Sequence, residues 1–242
     1  MDFRLKNIKL ICSMAELEGL PQSKLLINSI NAYSYNNARK DPDFAEALTN
    51  GDALIPDGMS IVKACKWLNA CSQPEERIAG WDLFTYEMSR LNNNGGGKVM
   101  FVGSSEEVLQ MIRERAHKEY PATDIITYSP PYKKLFSADD DKKIIDAINE
   151  ADPDLLWIGM TAPKQEKWTY QHWNDLDIRC HCGTIGAVFD FFAGTTKRAP
   201  LFWQQHGLEW LYRFIKEPRR LWRRYILGNA EFICHIIYER FE

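Results

Sequence analysis

The amino-acid sequence predicts an α/β protein: a mostly parallel sheet with helices on both faces, followed by an α-helical C-terminal appendage. Two observations predict the sheet. Short runs dominated by Ile, Leu and Val recur along the first 196 residues without strict polar alternation, as strands buried on both faces do. Between them lie longer segments with apolar residues at helical spacing, the crossovers that parallel neighbours require. A third observation predicts the appendage. Beyond Ala199 the strand-like runs cease, and "LFWQQHGLEWLYRFI" is apolar at helical spacing only. The chain therefore divides into an α/β body over 1–196 and a helical, basic amphipathic appendage over 197–242.

Taken in order, "KLLINSI" and "DALIPD" are strands separated by a helix over 33–48, and helices follow near 59–70 and 81–93. "NNNGGG" at 92–97 is a loop. Next come the strand "KVMFVGS", a helix near 105–119, the strand "DIITYS", a helix near 139–151, the strand "LLWIGM", a helix near 164–174 and the strand "IRCHCG".

With 242 residues, 45% apolar content and a net charge of -3, the chain reads as one globular unit whose bulk charge argues against a general nucleic-acid coat. The start, "MDFRLKNIKLICSM", has no apolar stretch long enough for a secretory leader, and no window reaches the ~18 apolar residues of a membrane span. The expectation is a cytoplasmic protein. Six cysteines without a C-x-x-C pair are then expected to be free and buried. In "RCHCG" the strand period sets Cys180 and Cys182 on one face and His181 on the other, which argues against zinc.

In parallel sheets ligands collect beyond the carboxyl ends of the strands. The residues there are Ser29 and Asn31, Asp57 and Gly58, Gly103 to Ser105, Thr161 to Gln165, and Gly183 with Thr184. This set is small, polar or ionisable, as a polar ligand requires. Asp57, in "IPDGMS", is a candidate proton acceptor for a substrate hydroxyl, with Gly58 allowing close approach; a turn in which Asp bonds its own backbone explains the same letters. "VGSSEEV" places Gly103 at a strand-to-helix junction suited either to phosphate or to a simple Ser N-cap. Lys164 in "TAPKQEKW" opposes the helix dipole, which points to a bound anion or to a solvent-facing lysine. The acid runs "DDD" and "DLD" fall at the wrong ends of their elements for a metal-nucleotide site. No dinucleotide or P-loop glycine pattern is present.

"KEPRRLWRRYILGN" reads as a basic amphipathic helix started by Pro218 and stopped at Gly228, with Arg219, Arg220, Arg223 and Arg224 on one face and Leu221, Trp222, Tyr225 and Ile226 on the other. Nucleic acid, an anionic membrane surface and a phosphate-bearing substrate all suit such a helix.

Three segments together resemble the WecG/TagA/CpsF glycosyltransferases: "INSINA" with "DPDFAEALTNGDALIPDG"; "PDLLWIGMTAPKQEKW"; and "GAVFDFFAGTTKRAPLFWQQHGLEWLYRFIKEPRRLWRRYILGN". The likeness runs from about Leu25 to Phe232. It implies a Rossmann-like body and inverting transfer from a UDP-sugar to a polyprenyl-diphosphate-linked sugar, without an obligatory metal or other cofactor, at the inner face of the cell membrane. It implies Asp57 as general base, and Ser29 and Asn31 as pocket residues, Ser29 standing where the family usually has Thr. Arg77 of "ERIAG", Gln165, and Asp190 of "FDFFAG" match further substrate-binding positions. The basic helix matches the family's appendage, expected to meet the lipid diphosphate or anionic headgroups. Of the sugars the family uses, an N-acetylmannosamine-type or related hexose fits the expectation; a homo-oligomer is compatible and nucleic acid is not expected as a partner. The competing reading is a non-enzymatic protein that binds anionic membrane or nucleic acid through the Arg-rich helix.

Overall fold

The computed structural model describes residues 3–200, 202–203 and 209–242, apart from the side chains of Arg213 and Arg220. Six strands form one parallel sheet: β1 (Leu25–Ile30), β2 (Ala53–Pro56), β3 (Gly97–Gly103), β4 (Thr123–Tyr128), β5 (Leu155–Gly159) and β6 (His181–Thr184). They lie in the order β2-β1-β6-β5-β3-β4. All six carboxyl ends therefore open on one edge, as the apolar runs predict.

The period of two along each strand sorts the core into two faces. Ile27, Ile55, Val99, Phe101, Leu155 and Trp157 point to one face. There they meet Phe84 and Met88 of α5 (Gly80–Asn93), Leu109 and Ile112 of α6 (Glu106–Glu119), and Phe189 and Phe192 of α9 (Gly186–Ala193). The alternate residues face a second helical layer. Ile30 and Leu54 pack with α2 (Ala32–Ala38), α3 (Pro42–Thr49) and α4 (Met59–Leu68). Met100, Leu156 and Ile158 pack with α7 (Ala138–Ala151) and α8 (Lys164–Gln171). A short helix α1 (Met14–Glu18) precedes the sheet.

Several boundaries differ from the sequence reading. The expected helix over 33–48 is two helices, because Asp41 leaves helical geometry to cap α3, accepting from the Phe44 N–H at 3.1 Å, and Pro42 then occupies the first turn. The expected helix over 164–174 stops at Gln171, with a 3-10 turn at Trp173–Asp175. α1 and α9 were not anticipated; both are short. Cys65, Cys180 and Cys182 are buried, but Cys71 and Cys234 are exposed and Cys12 is intermediate, so the expectation of buried cysteines holds for only part of the set; all six are free.

The larger difference concerns the appendage. Its helices are α10 (Glu209–Lys216), α11 (Pro218–Trp222) and α12 (Gly228–Phe241), and a π-helical turn at Arg223–Leu227 joins the last two. Gly228 does not stop the helix. Its φ of -66° is right-handed, its N–H reaches the Arg223 carbonyl, and its own carbonyl accepts from Asn36 Nδ2 at 2.7 Å. α12 belongs to the body: Phe232 and Ile236 sit in the same cluster as Ile30 and Tyr35. Buried Glu239 accepts from the Leu5 N–H (3.0 Å), the Lys6 N–H (2.5 Å) and the Tyr35 hydroxyl (2.8 Å). Residue 196 thus marks no boundary between two cores.

Candidate active site

The strand ends open into a cleft of about 2400 Å³ that the appendage partly covers. A drug-sized ligand needs roughly 300–1,000 Å³, so the cleft has room for two reactants. Ser29, Asn31, Asp57, Gly58, Arg77, Gly103, Lys164, Gln165, Asp190 and Arg224 all line it. The parallel topology brings these together from across the whole sequence.

Asp57 follows β2 directly. Its N–H donates to the carbonyls of Ile30 (2.8 Å) and Ile55 (3.1 Å), which pins its backbone to the ends of two strands. Among the described residues its carboxylate accepts no hydrogen bond, so it does not make the side-chain turn that "PDG" allows. Burial at the cleft floor pushes the carboxyl up to about 7; the charges of Arg77 and Arg224 oppose that rise, and those of Glu209 and Asp82 reinforce it. An uncommitted carboxylate poised near neutrality is suited to accept a proton.

The neighbouring positions are more constrained. Asn31 caps α2, its Oδ1 accepting from the N–H groups of Tyr33 (3.0 Å) and Ser34 (3.1 Å). Gly103 has φ +127°, and a Cβ there would lie 2.1 Å from the Gly159 carbonyl oxygen, so close packing of β3 on β5 explains the glycine. Ser105 caps α6 through the Val108 N–H at 3.4 Å, as the N-cap reading expects. Gly183 is turned away from the cleft: a Cβ there would meet the Trp157 ring at 2.3 Å.

Gln165 is buried and internally engaged. Its Oε1 accepts from the N–H groups of Met160 and Gly186, each at 3.1 Å, and its Nε2 donates to Glu166 Oε1 at 2.8 Å. It ties the end of β5 to the start of α9. Glu166 is itself buried, its Oε2 has no partner among the described residues, and burial pushes its carboxyl up to about 7. Lys164 does not face solvent freely: Nζ donates to the Lys133 carbonyl at 2.6 Å and lies 3.3 Å from the centre of the Phe136 ring. Burial lowers its pKa. Asp190 is exposed on α9 and accepts from the Thr195 hydroxyl at 3.3 Å.

The four arginines do not act as one face. The π turn rotates Arg224 into the cleft, its guanidinium 4.4 Å from the Tyr33 ring centre, while Arg219 and Arg223 remain exposed and outside the cleft lining. The side chain of Arg220 lies outside the described residues. The apolar set also splits. Leu221 is buried and Tyr225 packs on Trp210, but Trp222 and Ile226 are 43% and 48% exposed, so they do not pack on the body.

Among the cleft residues that sequence reasoning missed, Arg198 and Glu209 carry charge in the same lining as Asp57. Arg198 of "TKRAP" stacks over Trp81 at 4.8 Å, and Glu209 of "GLEW" reaches Arg77 at 3.3 Å and Arg198 at 3.8 Å. Glu209's only signal was charge within an otherwise apolar stretch; Arg198, beside Lys197 and two threonines, carried none. In "RCHCG", His181 bonds Glu87 (2.8 Å) and the Pro21 carbonyl (2.9 Å), and among the described residues no three His, Cys, Asp or Glu side chains converge as ligands. No helix among the described residues is long and apolar enough to cross a membrane.

Over 238 residues the chain is 30% identical to an N-acetylglucosaminyldiphosphoundecaprenol N-acetyl-beta-D-mannosaminyltransferase of Bacillus spizizenii, covering 98% of this chain and 88% of that one. Proteins of the same description from Bacillus subtilis and Staphylococcus aureus are 29% and 28% identical, covering 82% and 83% of this chain and 74% and 76% of theirs. Residues 5–242 match the family described as Glycosyl transferase WecG/TagA/CpsF, and the chain belongs to that family.

Proposed function

We propose that this glycosyltransferase moves an N-acetylmannosamine-type sugar, or a related hexose, from a UDP-sugar to a polyprenyl-diphosphate-linked sugar, with inversion and without an obligatory metal. The observation that carries the reading is Asp57: a carboxylate near neutral pKa, without a hydrogen bond to its side chain among the described residues, at the floor of a cleft roomy enough for two substrates. The names of the relatives supply the acceptor class and the sugar.

In the proposed step an acceptor hydroxyl attacks the anomeric carbon from the face opposite the diphosphate. The new C–O bond forms as the bond to UDP breaks; UDP leaves with the electron pair, and the hydroxyl proton passes to Asp57. Charge growing on the diphosphate needs fixed donors, and Arg77 and Arg224 line the cleft beside Asp57. Ser29 and Asn31 line the same cleft, which supports a place for them along the acceptor's approach. Exposed Arg219, Arg223, Trp222 and Ile226 suit reversible docking on an anionic membrane, to which each basic residue contributes about 1 kcal/mol.

The test is UDP release from a panel of UDP-sugars with EDTA present, with and without a short-chain polyprenyl-diphosphate-GlcNAc. Release is expected from one donor, only when acceptor is present. Release that needs an added divalent ion would end the metal-independent part, and release from no donor would end the reading.

A further inference from the structure

We propose that Arg198 joins Arg77 and Arg224 as the seat of the donor's diphosphate, and that Glu209 holds that seat as a carboxylate placeholder until the nucleotide displaces it. The inference rests on the function proposed above, and deepens it by naming what occupies the arginines before substrate arrives.

Four separated parts of the chain meet here. Arg77 precedes α5, Arg198 follows α9, Arg224 sits in the π turn and Glu209 opens α10; all four line the cleft with Asp57. Two of these cations lie over aromatic rings, Arg198 over Trp81 at 4.8 Å and Arg224 over Tyr33 at 4.4 Å. Each keeps a buried Nε–H with no acceptor among the described residues. Leaving a buried donor unmade is costly, and two such donors at one cleft indicate an acceptor-rich partner from outside the chain.

Glu209 does not fill that role well. A single oxygen, Oε2, is shared between Arg77 Nη1 at 3.3 Å and Arg198 Nη2 at 3.8 Å. Charge-assisted contacts that fix a guanidinium run at about 2.7–2.9 Å and are often bidentate. One carboxylate cannot match three guanidinium forks, whereas a diphosphate brings more charge and many more acceptor oxygens. The long contacts mark Glu209 as displaceable. A permanent brace would sit closer and would orient the arginines for the ligand.

The two roles give opposite signs. As a placeholder, Glu209 competes with the diphosphate, so its removal raises affinity; as a brace, its removal lowers affinity. The experiment is calorimetric titration of the full chain with UDP and, separately, with uridine, for the parent, Glu209→Gln, Arg198→Met and the double variant. UDP affinity is expected to rise about 5- to 10-fold in Glu209→Gln, because a larger share of molecules presents an open seat. It is expected to fall at least about 10-fold in Arg198→Met, a loss in the usual range for a charge-assisted bidentate contact. Uridine affinity should stay unchanged throughout, which a general disturbance of the fold would not allow. Should Arg198→Met fail to fold, Arg198→Lys keeps the charge and loses the fork, and an intermediate loss is expected. Weaker UDP binding in Glu209→Gln, equal effects on uridine, or variants indistinguishable from a UDP-binding parent would overturn the inference alone. A parent that binds no UDP would remove the proposed donor class as well.

Discussion

Two clusters of charged side chains lie at opposite ends of the sheet, built from the same kinds of residue and satisfied to opposite degrees. At the amino end of β6, buried Glu87 takes His181 Nδ1 at 2.8 Å and Arg90 at 2.7 and 2.9 Å, while His181 Nε2 meets the Pro21 carbonyl at 2.9 Å. Burial opposes charge on both, yet the hydrogen bonds prevail: His181 is held above its ordinary pKa and Glu87 below. At the carboxyl end, Arg77 and Arg198 share one distant oxygen, two arginine Nε–H groups have no acceptor among the described residues, and Asp57 is pushed up to about 7, first by burial. The first cluster is closed and stabilises the fold. The second is left open, at a cost that a ligand can recover.

Substitutions should separate the two ends. The largest effect is expected from Asp57→Asn, which removes the proton acceptor: turnover measured as UDP release should fall about 10²–10⁴-fold. The sign of its effect on stability follows from the raised pKa. Such a carboxyl favours the fold while protonated, and this contribution is lost as pH rises from about 3.8 to about 7. Asp57→Asn should therefore melt no lower than the parent at pH 5 and higher at pH 8; a lower melting point at both would contradict the open-cluster account.

Glu87→Gln should do the reverse. Breaking a buried, fully bonded charge cluster costs about 3–5 kcal/mol, read from urea unfolding, while folded protein keeps the parent's turnover. The His181 part of this stability is present below its unfolded pKa of about 6.5 and is lost as pH rises through its higher folded value. Unfolding curves at pH 6 and pH 9 should show the parent losing more stability than Glu87→Gln. Tyr35→Phe should cost least, about 1–2 kcal/mol, because Glu239 keeps its two backbone donors. A much larger loss would mean that α12 depends on that hydroxyl alone.

Legibility in the sequence followed the range of the interactions. The strands were readable because burial on both faces is a local pattern, and once the sheet is parallel its carboxyl ends name Ser29, Asn31, Asp57 and Gly58 together. Position at a strand end made Asp57 a candidate proton acceptor, with a turn explaining the same letters, and the family resemblance favoured the base. What escaped depends on distant partners. Glu209 lies 132 residues from Arg77, and Arg198 is placed by Trp81, so no spacing rule reaches either. The Arg-rich stretch obeys helical periodicity until Arg223, where the π turn breaks the rule that had put all the arginines on one face.

The central claim is that Asp57 accepts the acceptor's proton from an environment that holds it near neutrality. Its most direct measurement is kcat/KM for acceptor-dependent UDP release between pH 5 and pH 9, in the parent and in Asp57→Asn. The account predicts a limb rising with pH, with a midpoint at about 7 in the parent, and a residual rate in the variant that lacks this limb. A parent profile flat across this range, or the same limb in Asp57→Asn, would contradict it.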